Sequence, residues 1–130
     1  MTLRKERQVV FPVAPARLPQ KAGGVLIGWT TVSTREQADQ LATGLVAERL
    51  AACVQIDGPI RSHYRWEGQP EVSEEYRLTI KFTPMRQVEL EAWLFARHPY
   101  ETPQWLVVRV EHTAEKYLSW VQANCTPLPL

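Results

Sequence analysis

The chain is poor in cysteine. It has two, Cys53 and Cys125, too few for a disulfide framework, so a reducing cytoplasm is the expected compartment. Long apolar runs are missing as well: nothing approaches the roughly 18 residues of a membrane-spanning helix. Charge of one sign is lacking, since the formal net charge is +1. No basic patch with interleaved aromatics is present, which argues against nucleic acid as a partner. The usual catalytic signatures are absent too. No serine or cysteine stands in a strand-to-helix elbow, and Gly23-Gly24 precedes a strand instead of forming a phosphate-cradling loop. Histidines and cysteines show no chelating spacing such as HxxxH or CxxC. A histidine–glutamate pair could do acid–base work, but such pairs are common as structural contacts, and an enzyme is not expected.

What remains is ordinary globular composition, 45% hydrophobic and 22% charged over 130 residues, enough for one domain with one core. The charge is unevenly spread. Within residues 1 to 24, Arg4, Lys5, Arg7, Arg17 and Lys21 stand against Glu6, a net of +4, and the other ten basic and thirteen acidic residues leave −3. The apolar stretch from Val9 to Ala16 is interrupted by Pro12 and Pro15 and barely reaches the length of a secretory signal core. Residues 1 to 24 are therefore read as a flexible basic arm, 25 to 124 as the domain and 125 to 130 as a short tail.

Within the domain the patterning is clear. Val25 to Val32 is β-branched and apolar and predicts a strand. Thr34 with Gln37 fits a capping box, and Ala38, Leu41, Ala42, Leu45, Val46 and Leu50 recur at helical spacing over about five turns. Cys53 to Trp66 predicts a long strand broken at Gly58-Pro59, and Glu71 to Phe82 another, joined by a turn at Glu67 to Pro70. In the first arm Ile60, Ser62, Tyr64 and Trp66 oppose Arg61, His63 and Arg65; in the second Tyr76, Leu78, Ile80 and Phe82 oppose Arg77, Thr79 and Lys81. Arms of about 12 residues exceed the usual strand of about 5 to 6, so the hairpin needs something to pack on, which suggests a neighbouring subunit. Pro84 is placed to open a second helix with an apolar stripe of Met85, Val88, Ala92 and Phe95. Gln104 to His112 predicts a fourth strand, and Ala114 to Ala123 a closing helix with Tyr117, Leu118, Trp120 and Val121. The order βαββαβ plus a helix predicts an α+β, ferredoxin-like sandwich, with both main helices on one face of an antiparallel sheet. Because Trp29, Val32 and Val107 lie on more than one strand face, the second face is expected to be covered.

Between the second helix and the fourth strand stand His98-Pro99-Tyr100-Glu101, an imidazole, a phenol and a carboxylate on a short connector bounded by Pro99 and Pro103. Loops on a rigid scaffold are where binding groups tend to live. With Leu50 to Val54, Ser62 to Gly68, Glu75 to Lys81 and Tyr117 to Trp120, this motif completes five stretches, in order, by which the chain resembles the CutA family, the divalent-cation tolerance proteins. The resemblance spans about residues 25 to 122. It implies a homotrimer in which long hairpins and edge strands join the sheets of adjacent subunits, and a role in tolerance of divalent metals, copper most often. The chain departs from the family in having Gln104 after Pro103, where a glutamate is common, and Phe82 after Lys81, where a threonine is common.

Copper favours imidazole and thiolate ligands, which makes His98 and Cys53, with Glu101, the candidate metal residues; His63, His112 and Cys125 complete the inventory, and any site must be assembled in space. Each has a structural alternative. Cys53 can be a small buried thiol at a strand start, and His98 can sit against the dipole of a helix C-terminus. Glu101 can pair with Arg61 or Arg65 at a subunit boundary. Tyr64, Trp66, Tyr100, Trp105 and Trp120 are read as interface and core aromatics. Two other functions stay open. One is a small-molecule sensor with clefts between subunits, by fold-level analogy with trimeric proteins of the PII signalling type. The other is a trimeric scaffold presenting its basic arms to a partner protein.

Overall fold

The computed structural model describes residues 24–129, so the basic arm read at residues 1 to 24 lies almost wholly outside the described residues. Strand β1 (Leu26–Val32) runs up the middle of a sheet between β3 (Gln69–Phe82) and β4 (Leu106–Arg109), with β2 (Cys53–Trp66) beyond β3. The order β2-β3-β1-β4 with every neighbouring pair antiparallel is the ferredoxin-like arrangement expected from the alternation of strand and helix periods. Successive side chains of a strand point to opposite faces. Leu26, Thr30 and Val32 of β1 and Leu78, Ile80 and Phe82 of β3 accordingly form one buried face. Ala38, Leu41 and Leu45 of helix α1 (Arg35–Ala47) and Leu90 and Leu94 of helix α2 (Gln87–Arg97) pack against it. Each such aliphatic side chain contributes roughly 1.5–3 kcal/mol by leaving water.

Helix α1 starts where Thr34 accepts a hydrogen bond from the Gln37 N–H at 3.1 Å, while the Gln37 side chain accepts from the Ser33 N–H at 3.2 Å. It ends earlier than the five turns expected, because Arg49 takes a positive φ of 58° and turns Leu50 back into the core. Carbonyls left open at that end accept from the buried guanidinium of Arg86, which reaches Arg49 O at 3.1 Å and Glu48 O at 3.3 Å. Helix α3 (Glu115–Asn124) buries Val121 and leads to Cys125, which is fully enclosed and donates its thiol to Leu50 O.

Two expectations are corrected. The stripe Met85, Val88, Ala92 and Phe95 does not face the core: Val88 is 79% exposed, and Leu90 and Leu94 are buried instead. The chain takes a 3-10 turn at Pro84–Arg86 before α2, and the Trp93 ring lies where a Cβ on Gly44 would stand, 2.4 Å from its Cζ2. That close approach decides which side of α2 turns inward. The fourth strand is four residues long, not the nine from Gln104 to His112. Trp105 leaves the sheet to lie against Gly28, where a Cβ would meet its ring at 2.3 Å, and its indole N–H binds Glu91 at 2.9 Å. Because β4 pairs only with Leu26 to Trp29, the last part of β1, Thr30 to Val32, has no strand on that side among the described residues.

The hairpin turns through Glu67 and Gly68, both at positive φ (50° and 82°), a two-residue loop whose twist suits a hairpin. Lower down, the register shifts between Asp57↔Arg77 and Ile60↔Glu75. One extra residue in β2 is absorbed there, so Ile60, Ser62, Tyr64 and Trp66 come to share the sheet face of Glu75, away from the helices.

Candidate functional site

The open flank of β1 is where the His98 motif docks. Thr30 and Thr31 are adjacent, so their side chains leave β1 on opposite faces. Thr30 Oγ1 lies 2.9 Å from His98 Nε2 on the helical side, and Thr31 Oγ1 donates to Glu75 Oε2 at 3.2 Å on the other. His98 is set at the end of α2 by its backbone N–H, which binds Leu94 O at 2.8 Å. Tyr100 then crosses the flank: its N–H donates to His98 Nδ1 at 3.1 Å, and its hydroxyl donates to Glu75 Oε2 at 2.7 Å. Ser62 donates to Glu75 Oε1 at 2.7 Å. One carboxylate on β3 therefore gathers hydroxyls from β1, β2 and the 98–104 loop.

Proton positions follow from these partners. Nδ1 of His98 accepts, so the proton of the neutral ring sits on Nε2 and points at Thr30 Oγ1. Burial lowers the His98 pKa, opposed by a hydrogen bond to the Thr31 backbone and by the charge of Glu75. Burial, together with the neighbouring Glu75, pushes the Tyr100 phenol up to about 12, against the Ser33 hydrogen bond. It stays protonated and gives that proton to Glu75, which makes Ser33 the donor in its 3.0 Å contact with the Tyr100 oxygen.

Around this cluster lies a cleft of about 790 Å³, lined by Tyr64, Trp66, Glu75, Tyr100, Glu101 and Gln104 with several hydroxyl residues. Tyr64 and Trp66 are about half exposed and reach it from the hairpin; Arg61 and Arg65 sit on the hairpin's other face, where Arg65 binds Gly68 O at 3.0 Å. Glu101 is exposed at the cleft's lip. Cys53 is half-buried opposite Lys81. Lys81 is an odd number of residues from Leu78, the partner of Thr30, so Cys53 and His98 stand on opposite faces of the sheet. Trp120 lies outside the cleft, exposed on α3 and stacked on Tyr117 at 5.6 Å. Among the described residues no group of three or more His, Cys, Asp or Glu side chains is placed to hold a metal ion.

Of the residues expected from sequence, the structure thus brings Tyr100, Glu101, Tyr64 and Trp66 to one cleft, ties His98 to it from the helical side through the Tyr100 N–H, and leaves Cys53, Trp120, Arg61 and Arg65 apart from them. Sequence reasoning missed Glu75, Thr31, Ser33 and Ser62. The signal for Glu75 was its place at the head of the Glu75 to Lys81 segment, whose later residues alternate apolar with basic and hydroxyl side chains.

A family model described as CutA1 divalent ion tolerance protein matches residues 26–124. The divalent-cation tolerance protein CutA of Escherichia coli (strain K12 / DH10B) is 38% identical over 94 residues, which cover 72% of this chain and 84% of that protein. Among solved structures, CutA from Synechococcus elongatus PCC7942 is 36% identical and matches with a TM-score of 0.77 over 80% of this chain and 92% of its own. A protein from Archaeoglobus fulgidus, described as the periplasmic divalent cation tolerance protein CutA, is 28% identical with a TM-score of 0.75, covering 78% of this chain and 99% of its own. No helix among the described residues is long and apolar enough to cross a membrane.

Proposed function

Because the chain belongs to the CutA1 divalent ion tolerance family, we propose that it serves divalent-cation tolerance as a cytoplasmic, non-enzymatic homotrimer that binds metal ions, copper foremost. The observation that carries the trimer is the hairpin. Each arm runs 14 residues, and Tyr64, Trp66 and Val72 near its tip are exposed, as are Leu106 and Val108 beside Ile27 and Trp29 on the face away from the helices. Apolar surface of this kind is better covered by a partner than by water. Trp66→Ala should weaken the trimer by about 2–4 kcal/mol, as central interface aromatics do. Light scattering over a dilution series reads this directly, and an unchanged mass and dissociation midpoint would remove Trp66 from the interface.

An ion held by the residues singled out here would be shared between subunits, since Cys53 and His98 face opposite ways within one chain. Both nitrogens of His98 are already engaged, so the free thiol of Cys53 and the exposed carboxylate of Glu101 are the more available ligands. The test is a titration with Cu(I) and Cu(II) against a competing chelator in the wild type and in Cys53→Ser, His98→Ala and Glu101→Gln. Stoichiometric binding lost in one variant while the trimer persists supports the reading; weak binding indifferent to all three refutes it.

The cleft favours a second reading, a small-molecule sensor. Its volume of about 790 Å³ falls within the range of small-ligand sites, roughly 300–1,000 Å³, and polar groups from three elements converge in it. A ligand that binds there should raise the melting temperature by mass action.

A further inference from the structure

The apolar stripe that helical periodicity assigns to the core side of α2 stands outside the core. Met85, Val88 and Phe95 are 69%, 79% and 47% exposed, and Ala92 between them is exposed as well. Their spacing of three, four and three residues sets them along one side of the helix. Leu90 and Leu94 supply the core contact of α2 instead, so packing within the domain does not account for Met85, Val88 and Ala92. Helix α2 covers the helical face of the sheet, whereas Tyr64 and Trp66 of the hairpin occupy the other. Assembly through the hairpin therefore leaves the stripe uncovered. We propose that it is a docking surface for residues 9 to 16 of the same subunit, the run Val9-Val10-Phe11-Pro12-Val13-Ala14-Pro15-Ala16.

The first argument is where the chain enters the domain. In the register of β1 with β3, Leu26 faces Phe82, and Val25 O accepts from the Val110 N–H at 3.0 Å on the other side. Carrying that register two residues outward sets Gly24 opposite Pro84. Pro84 opens the turn Pro84–Arg86 that leads into α2, and Met85 is the first member of the stripe. The residues before Gly24 are thus delivered to the foot of the stripe. Residues 17 to 23 reach about 23 Å when extended, enough to turn back there. The stripe is about 15 Å long at the helical rise, and residues 9 to 16 at about 3.1 Å each cover more than that.

The second argument is chemical fit. Val9, Val10, Phe11 and Val13 offer apolar groups to an apolar, outward-facing surface. Pro12 and Pro15 have no N–H, so the run lacks two donors that a segment laid on such a surface would have to leave unpaired. Arg17 and Lys21 stand between the run and Gly24, and Glu89, with its side chain 59% exposed, stands beside Val88 in the first turn of α2. Residues 1 to 24 carry +4 against −3 for the remainder, which favours the approach. A tethered segment acts at an effective concentration of the order of millimolar, so a modest contact suffices.

The test puts p-benzoyl-phenylalanine in place of Phe11 in the full-length protein, irradiates it and maps the attachment by mass spectrometry. The expected product has the mass of one chain and joins position 11 to residues 85–97, with Met85 the favoured acceptor. Val88→Asp, at an exposed position, should remove most of that product and leave the mass of the assembly in light scattering unchanged. A second readout needs no photochemistry. The chain has two methionines, Met1 and Met85, so in methyl-labelled protein Met85→Leu assigns the Met85 signal, and Phe11→Asp should shift it. Attachment to the hairpin, or none with a Met85 signal indifferent to Phe11→Asp, would overturn the proposal. A product of twice the chain mass would refute docking on the same subunit, and a product undiminished by Val88→Asp would refute the stripe as the surface. A changed assembly mass in Val88→Asp would make the stripe a contact between copies and overturn the assignment.

Discussion

Replacing Gly28 by alanine tests how tightly the sheet, α2 and the cleft loop are bound together. A Cβ at Gly28 would stand 2.3, 2.8 and 3.0 Å from three carbons of the Trp105 ring, where ordinary contact needs about 3.5–4 Å. The ring must therefore retreat by about 1 Å, and it has little freedom to do so. Its indole N–H is bound to Glu91 at 2.9 Å, it stacks on Phe82 at a centroid distance of 6.2 Å, and Phe95 meets it edge-on at 6.3 Å. Overpacking of this kind costs about 1–3 kcal/mol, which for a domain near this size lowers the melting temperature by roughly 4 to 14 °C. The comparison belongs at one protein concentration, because assembly makes the midpoint concentration-dependent. The decisive assay is a double-mutant cycle with Trp105→Ala. With the indole gone, the three close contacts at 28 are gone, and the lower backbone entropy of alanine in the unfolded chain should make it neutral or slightly stabilising, by under about 1 kcal/mol. An equal loss from Gly28→Ala in both backgrounds would refute the close approach as the cause.

The pH dependence of stability should carry the mark of His98. Its folded pKa is lowered, so between that value and the unfolded value near 6.5 the unfolded chain binds more protons, and stability must fall as pH drops below about 6.5. Urea midpoints from pH 8 to 5 should fall more steeply for the wild type than for His98→Gln; parallel curves would assign the acid sensitivity elsewhere. At the alkaline end, Tyr100 ionises at about 12 against about 10 for an ordinary tyrosine, so folding loses stability as pH rises from about 10 towards 12. In absorbance at 295 nm, one of the four tyrosines should titrate late while the protein stays folded. Tyr100→Phe should remove that late step, and its persistence in the variant would exclude Tyr100.

Local pattern carried the fold far. The alternation of Tyr76 to Phe82 placed Leu78, Ile80 and Phe82 on the buried face, and the spacing of Ala38, Leu41 and Leu45 marked the buried face of α1, because both periodicities report a single boundary between core and water. On α2 the same reasoning turned the helix the wrong way. Two apolar stripes compete there, and the winner is set by the fit of Trp93 over Gly44, a contact between helices that no period within α2 can reveal. The fourth strand was overextended for a related reason: Trp105 has strong strand propensity, yet it is drawn out of the sheet by Gly28 and Glu91, both distant in sequence. For the site, the motif around His98 was legible as a loop rich in chemistry between two elements. Its true carboxylate partner was not, since Glu75 joins Tyr100 only after β3 is placed beside β1.

The cleft exists because two departures from a regular sheet and one pair of adjacent threonines fall at one place. Strand β4 pairs with Leu26 to Trp29 and no further, which leaves a flank for the 98–104 loop to cross. The extra residue in β2 between Asp57 and Ile60 brings Ser62, Tyr64 and Trp66 onto the face of Glu75; without it, the alternation would present Arg61, His63 and Arg65 there. The consecutive threonines Thr30 and Thr31 give one hydroxyl to each face, the first to His98 and the second to Glu75. Tyr100 closes the circuit, bonded through its N–H to His98 and through its hydroxyl to Glu75. Protonating Nδ1 of His98 removes the acceptor that holds the Tyr100 backbone, and with it the geometry that lets the phenol reach Glu75. The state of a histidine on the helical side is therefore coupled to the hydrogen bonding of a carboxylate on the opposite side through a single residue of the loop.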